Sequence, residues 1–312
     1  MLVALAGGVG AARFLRGLVR VVPPEDVTAI VNTADDEVFH GLTVCPDLDT
    51  VTYTLAGAEH PEQGWGLEGE SFRTIDALTR YGADTWFRLG DLDLATHLHR
   101  SERLRAGAPL STVTADIARA WGVTTTIVPM TDDPVSTRIT VERPDGGLEV
   151  LRMQEWFVRE RTTPPVVAVE FDGAATARPA PGVLEAIAAA DTIIVCPSNP
   201  IISIGPILAV PGVRDALVAR RDRVVGVSPI IAGTTVKGPA DRLMGPLGIE
   251  VSCVGVAEVY APFCSTLVID ERDAGRADDV AATGVRPVVA ETLMTDARVA
   301  AALAQHALDA VA

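Results

Sequence analysis

Aromatic residues make up only 4% of the 312 positions in this chain, and long apolar runs are missing. The stretch closest to one, Ile193–Val210, is cut by Pro197, Asn199, Pro200 and Pro206. A membrane-spanning helix needs about 20 predominantly apolar residues, so none is expected. Met1 leads into a short apolar run that ends in glycines, without the basic start and cleavage site of a secretory leader. Excess positive charge is also lacking: 26 Lys and Arg stand against 41 Asp and Glu, for a formal net charge of −15. Nucleic-acid binders normally rest on a basic surface, so that class is disfavoured. The four cysteines, Cys45, Cys196, Cys253 and Cys264, lie far apart and without metal-ligand spacing, so they read as reduced thiols. These absences describe a soluble, cytoplasmic protein that binds neither nucleic acid nor membrane. The partners expected are small-molecule substrates, with a homodimer as the candidate assembly.

The chain does have a hydrophobic share of 48%, supplied mostly by Ala and Val. Short Val/Ile/Ala runs alternate with stretches of helical period. Leu2–Ala6, Val27–Val31, Thr192–Val195 and Arg223–Val227 read as strands buried on both faces. Ala11–Val19, Ser111–Trp121, Gly182–Ala190, Gly212–Ala219 and Asp296–Val311 carry helical patterns. This rhythm predicts an α/β fold, a Rossmann-like doubly wound and mostly parallel sheet. Thr137–Val141, an Asp145-Gly146-Gly147 turn and Glu149–Met153 add a β-hairpin. The expectation is a single domain over 1–312 with an antiparallel insertion near 134–170.

Four segments carry chemistry. Gly7-Gly8-Val9-Gly10-Ala11-Ala12-Arg13 follows the first strand and opens a helix. Glycines admit a ligand close to the backbone, and the free amides of a helix start favour an anion. Arg13 takes the place of the third glycine of a dinucleotide fingerprint, and no Gly-Lys-Ser/Thr follows, so the segment is not a P-loop. The second segment joins Asn32-Thr33-Ala34-Asp35-Asp36 to Pro46-Asp47-Leu48-Asp49-Thr50. Four aspartates beside a phosphate-suited turn repel one another and any diphosphate, and a divalent cation with oxygen ligands resolves that conflict. Asp47 or Asp49 capping the next helix is the structural alternative.

The third segment runs from Gly90-Asp91-Leu92-Asp93 to Thr96-His97. Asp93 and His97 stand one helical turn apart and can share a face. A hydrogen-bonded packing histidine is the commoner outcome for such a residue. The fourth, Pro197-Ser198-Asn199-Pro200 through Ser203-Ile204-Gly205-Pro206, follows a strand and offers polar groups held by prolines, or simply a rigid loop. Ser228-Pro229-Ile230-Ile231 repeats the pattern after the next strand.

Taken in order with Trp65-Gly66, Pro129–Thr137 and Gln154-Glu155-Trp156, these segments resemble the 2-phospho-L-lactate transferase family of coenzyme F-420 biosynthesis. The resemblance covers essentially the whole chain. It implies transfer of a phosphoenolpyruvyl or 2-phospho-L-lactyl group from its guanosine-diphosphate ester to the ribityl hydroxyl of the deazaflavin FO, with magnesium (Mg2+) and release of GMP. Gly7, Gly8, Gly10, Arg13, Asn32, Asp91, Asp93, Thr96, His97, Ser198, Asn199, Ser203 and Gly205 become candidate substrate-binding residues. Asp36, Asp47 and Asp49 become the first-choice metal ligands, with Asp36 and Asp49 as catalytic candidates and Asp35 in reserve. Family members often carry Gly-Asp-Arg-Asp where this chain has Gly90-Asp91-Leu92-Asp93, so an anion held there needs Arg13, Arg88 or Arg100. Two rivals remain: a nucleotide-sugar-binding regulatory protein of the same superfamily, and a nicotinamide-dependent oxidoreductase.

Overall fold

The computed structural model describes residues 1–311. Seven strands form one sheet: β1 (Leu2–Ala6), β2 (Val27–Val31), β3 (Thr126–Pro129), β4 (Thr192–Val195), β5 (Val224–Val227), β6 (Thr266–Asp270) and β7 (Arg286–Ala290). Their spatial order is β7-β6-β5-β4-β1-β2-β3 and every pairing is parallel. This is the α/β Rossmann-like arrangement expected from the sequence. Alternate residues of β1 show why its strands read as unbroken apolar runs. Val3 and Leu5 enter the core on one face, Ala4 and Ala6 the core on the other, and both faces are covered by helices.

The strand order reverses between β1 and β4, so the chain leaving β1 turns one way and the chain leaving β4 the other. A crevice opens there at the carboxyl ends of the strands, where such sheets place ligands. Three helices frame it: α1 (Gly8–Leu18), α2 (Pro46–Ala56) and α3 (Asp93–Arg105). A fourth, α4 (Ala297–Asp309), closes the far side of α1. Gly17 is the contact point, since a β-carbon there would stand 2.3 Å from the Ala300 carbonyl carbon.

The antiparallel insertion has three strands rather than two. Ser136–Glu142 pairs with Leu148–Arg152 on one side and with Val166–Asp172 on the other. The third strand alternates weakly and only Val166 is buried, which hides it from a search for apolar periodicity. Among the described residues, no helix is long and apolar enough to cross a membrane. All four cysteines are buried and unpaired.

Candidate functional site

The turn after β1 is built by close approach. Gly7 keeps an extended backbone as the residue before α1, and Gly8 takes φ +69°, a left-handed conformation that glycine adopts without strain. A β-carbon on Gly7 would stand 2.6 Å from Ser203 Cβ and 2.9 Å from Asp47 Oδ2. One on Gly10 would stand 2.2 Å from the Pro197 carbonyl oxygen. Two of the three glycines therefore let neighbouring segments pack against the turn. Ser198 secures it, its Oγ accepting from the Gly7 amide at 3.3 Å and donating to the Gly7 carbonyl at 2.9 Å.

Asn199 uses its oxygen for local structure, while its buried Nδ2 has no partner. Its Oδ1 accepts from the Ile201 and Ile202 amides at 2.9 and 3.3 Å, capping the helical turn Pro200–Ile204. Ser203, buried on that turn, faces Gly7. Gly205 begins the next short helix, where a β-carbon would stand 3.0 Å from the Phe171 ring. This fourth segment thus shapes the crevice wall, with Ser203 its member closest to the glycine turn.

The aspartates divide into two sets. Asn32, at the end of β2, points its Nδ2 at both Asp35 Oδ2 (3.1 Å) and Asp47 Oδ2 (2.9 Å). One amide thus bridges two carboxylates directly below Gly7 and Gly8. Burial, and then the Asp47 charge, push the Asp35 carboxyl well above the usual range; burial also raises Asp47. Asp36 turns the other way, toward Cys45, and burial raises it too. Asp35 Oδ1 and Asp36 Oδ1 are buried and have no hydrogen-bond partner. No basic side chain pairs with Asp35, Asp36 or Asp47 among the described residues.

Asp49 belongs to the second set. The buried guanidinium of Arg100 engages both of its oxygens, Nη1 at 3.0 Å and Nη2 at the other oxygen. His97 lies between, Nδ1 3.8 Å from Asp49 and Nε2 3.3 Å from Asp93 Oδ2. Asp93 and His97 do share a face of α3. The Tyr53 hydroxyl donates to Asp93 Oδ1 at 2.6 Å and lies 2.8 Å from Thr96 Oγ1. Asp49, Asp93 and His97 offer ligand atoms within 4.8 Å of one another, a possible metal group. Neither Asp47 nor Asp49 is the residue before α2: Cys45 holds that place, and both aspartates sit in the first turn. Capping is therefore not their role.

Asp91 is a local structural residue. Its carboxylate accepts from Ser71 Oγ (2.5 Å) and from the Arg73 and Thr74 amides (3.0 and 2.9 Å). The Ser71 bond is the main reason its carboxyl is held low. Glu70, which sequence reasoning did not single out, accepts from the Leu92 and Asp93 amides and so anchors the start of α3. Its signal was weak, since an acid far from the helix it caps has no characteristic spacing. A small cavity opens beside it, lined by Trp65, Phe72, Arg88 and Asp93 among others. The Arg88 guanidinium lies 4.7 Å from the centre of the Phe72 ring.

A doubly wound α/β protein with an anion-suited turn at its switch point and an uncompensated carboxylate pair beneath it fits a phosphate-handling enzyme. Residues 2–306 match the family described as 2-phospho-L-lactate transferase CofD, and the chain belongs to that family. It is 45% identical to the phosphoenolpyruvate transferase of Streptomyces griseus over 310 residues, covering 99% of this chain and 97% of that one. With the Streptomyces coelicolor protein of the same name it shares 46% over 309 residues, covering 98% and 97%. With that of Thermobifida fusca it shares 45% over 318 residues, covering 99% and 97%. The fold also matches a solved UPF0052-family protein from Bacillus halodurans at a TM-score of 0.63 and 17% identity, covering 98% of each chain. That likeness concerns the fold alone.

Proposed function

We propose that this chain transfers a phosphoenolpyruvyl (or 2-phospho-L-lactyl) group from its guanosine-diphosphate ester to the terminal ribityl hydroxyl of FO. GMP leaves, and the product is the dehydro or saturated form of coenzyme F-420-0. The whole-length match to transferases named for phosphoenolpyruvate supports the enolpyruvyl donor. The observation that carries the reading is the Asp35–Asp47 pair, joined through one Asn32 amide beneath the glycine turn.

That pair fits a divalent cation. The orphaned Asp35 Oδ1, the repulsion from Asp47 and the lack of any basic partner describe an oxygen donor set short of positive charge. Asp47 and Asp35 would hold magnesium, and bound magnesium would supply charge neutralisation at the diphosphate. The Asp49–Asp93–His97 group suits a metal less well, because Arg100 already provides the positive charge that Asp49 needs. In this reading Asp49 fixes the first turn of α2 and thereby the direction of Asp47.

The remaining work is positioning, which dominates transfer at phosphorus. The turn at Gly7–Gly10 and the start of α1 present amides to non-reacting phosphate oxygens. The cavity at Trp65 and Phe72 offers aromatic surface to the flat deazaflavin ring. A carboxylate of the aspartate cluster takes the proton from the attacking hydroxyl, and the hydroxyl oxygen bonds to phosphorus as the bond to the GMP oxygen breaks.

The test incubates folded protein with FO, magnesium and each of the two guanosine-diphosphate esters, then measures GMP release and product mass. Product with the enolpyruvyl ester supports the reading. Absence of product with both esters overturns it.

A further inference from the structure

Lys237 is the only lysine in the chain; its side chain is exposed but its ammonium is held in place. It lies on the segment after Thr234–Thr235, past the carboxyl end of β5, and its Nζ donates to the Gln63 carbonyl oxygen at 2.8 Å. That contact carries the ammonium to the segment that crosses α1. Gly64, buried with φ +73°, is where three parts of the chain meet. A β-carbon built on it would stand 2.9 Å from Val9 Cγ1, 3.4 Å from Arg13 Nη2 and 3.6 Å from Lys237 Nζ. Two cations, one from α1 and one from a segment more than two hundred residues away, therefore rest against the same glycine.

Neither cation makes an ion pair among the described residues, in a protein with 41 acidic side chains and 26 basic ones. Burial, and then repulsion from Arg13, lower the Lys237 ammonium below its ordinary range. Like charges brought together without an acid between them are costly unless an anion joins them. Arg13 also stands on the helix whose first turn is the Gly7–Gly10 segment, and side chains on a helix lean toward its N-terminus.

We infer that Arg13 and Lys237 form a two-pronged clamp for a diphosphate held at the glycine turn that opens α1. The arginine offers a planar fork and the lysine a point charge, a combination suited to adjacent phosphate groups. The inference rests on the proposed function in taking the diphosphate to be that of the nucleotide donor. The clamp itself requires only the diphosphate. It also answers the electrostatic difficulty of a strongly acidic protein binding an anionic substrate, by setting two unpaired cations against Gly64.

A single lysine makes the test direct. Amines of the full-length protein are methylated with formaldehyde and borohydride, and the Lys237 peptide is followed by mass spectrometry. The Met1 amine, paired with Asp191 at 2.8 Å, reads out separately on its own peptide. Inorganic pyrophosphate and GDP, each with magnesium, are expected to slow modification of Lys237 about tenfold, while guanosine leaves it unchanged. In calorimetry, Lys237→Gln and Arg13→Gln should each weaken pyrophosphate binding about tenfold, with Lys237→Arg retaining most of it. The clamp is overturned if pyrophosphate fails to bind, or binds with Lys237 as reactive as before. Protection by pyrophosphate without protection by GDP keeps the clamp and removes the nucleotide donor from the proposed function.

Discussion

Arg100 on α3 grips Asp49 on α2 through both carboxylate oxygens, in a pocket where the arginine is only 1% exposed. The pair ties together the two helices that carry the acidic side of the crevice. A buried ion pair with one partner removed leaves an uncompensated charge, which costs about 3–5 kcal/mol. Arg100→Met should therefore lower the unfolding free energy by about that amount in urea titrations. Arg100→Met combined with Asp49→Leu should recover most of the loss. A double variant as unstable as the single one would show that the pair is not the source of the effect.

Asp47 and Asp49 stand two residues apart but are expected to fail in different ways. Asp47→Asn should raise the magnesium concentration for half-maximal turnover by at least about tenfold, the scale on which even outer partners of a metal matter. Stability should change little, or improve, because one of two repelling carboxylates is gone. Asp49→Asn should mainly destabilise the fold by weakening the Arg100 pair. Titrating magnesium and urea on both variants checks this, and an unchanged magnesium requirement in Asp47→Asn would remove it from the ligand set.

Gly10→Ala places a methyl group 2.2 Å from the Pro197 carbonyl, which is backbone and has little freedom to retreat. Overpacking of this kind costs about 1–3 kcal/mol. Gly275 makes a suitable control, since a β-carbon there meets nothing within 4 Å. Gly275→Ala should stay within about 0.5 kcal/mol of the parent protein. Thermal melts of the two variants give the comparison, and similar midpoints would contradict the close packing at Gly10.

Trp65 is 47% exposed at the cavity it shares with Phe72 and Arg88. If FO binds there, Trp65→Ala should raise its KM about tenfold, as loss of an aromatic contact with its buried area implies. The KM for the guanosine donor should be unchanged. A rise confined to the donor would place the acceptor elsewhere.

Much of the fold was legible because its signals are local. The strands now labelled β1, β2 and β4 begin and end where the continuous apolar runs do, and β5 differs by one residue. Buried parallel strands must be apolar throughout. The strand Val166–Asp172 escaped notice because it packs only part of one face, and β7 because it is a half-exposed edge strand containing Pro287. In the site, the glycine turn and the run of aspartates were visible as types of residue. The partition of Asp35 and Asp47 from Asp49 was not, because it depends on where Asn32 and Arg100 point.

Sequence alone determined the class of fold, the strand that ends in the glycine turn, the excess of acid and the family resemblance. Each is encoded by neighbours a few residues apart, by composition or by motif order, and so survives without coordinates. Tertiary structure alone decided which aspartates face each other, that Ser198 is spent on the Gly7 backbone, and that Lys237 and Arg13 meet at Gly64. Those outcomes depend on segments far apart in the chain, and only the parallel sheet, by bringing strand ends together, makes them neighbours.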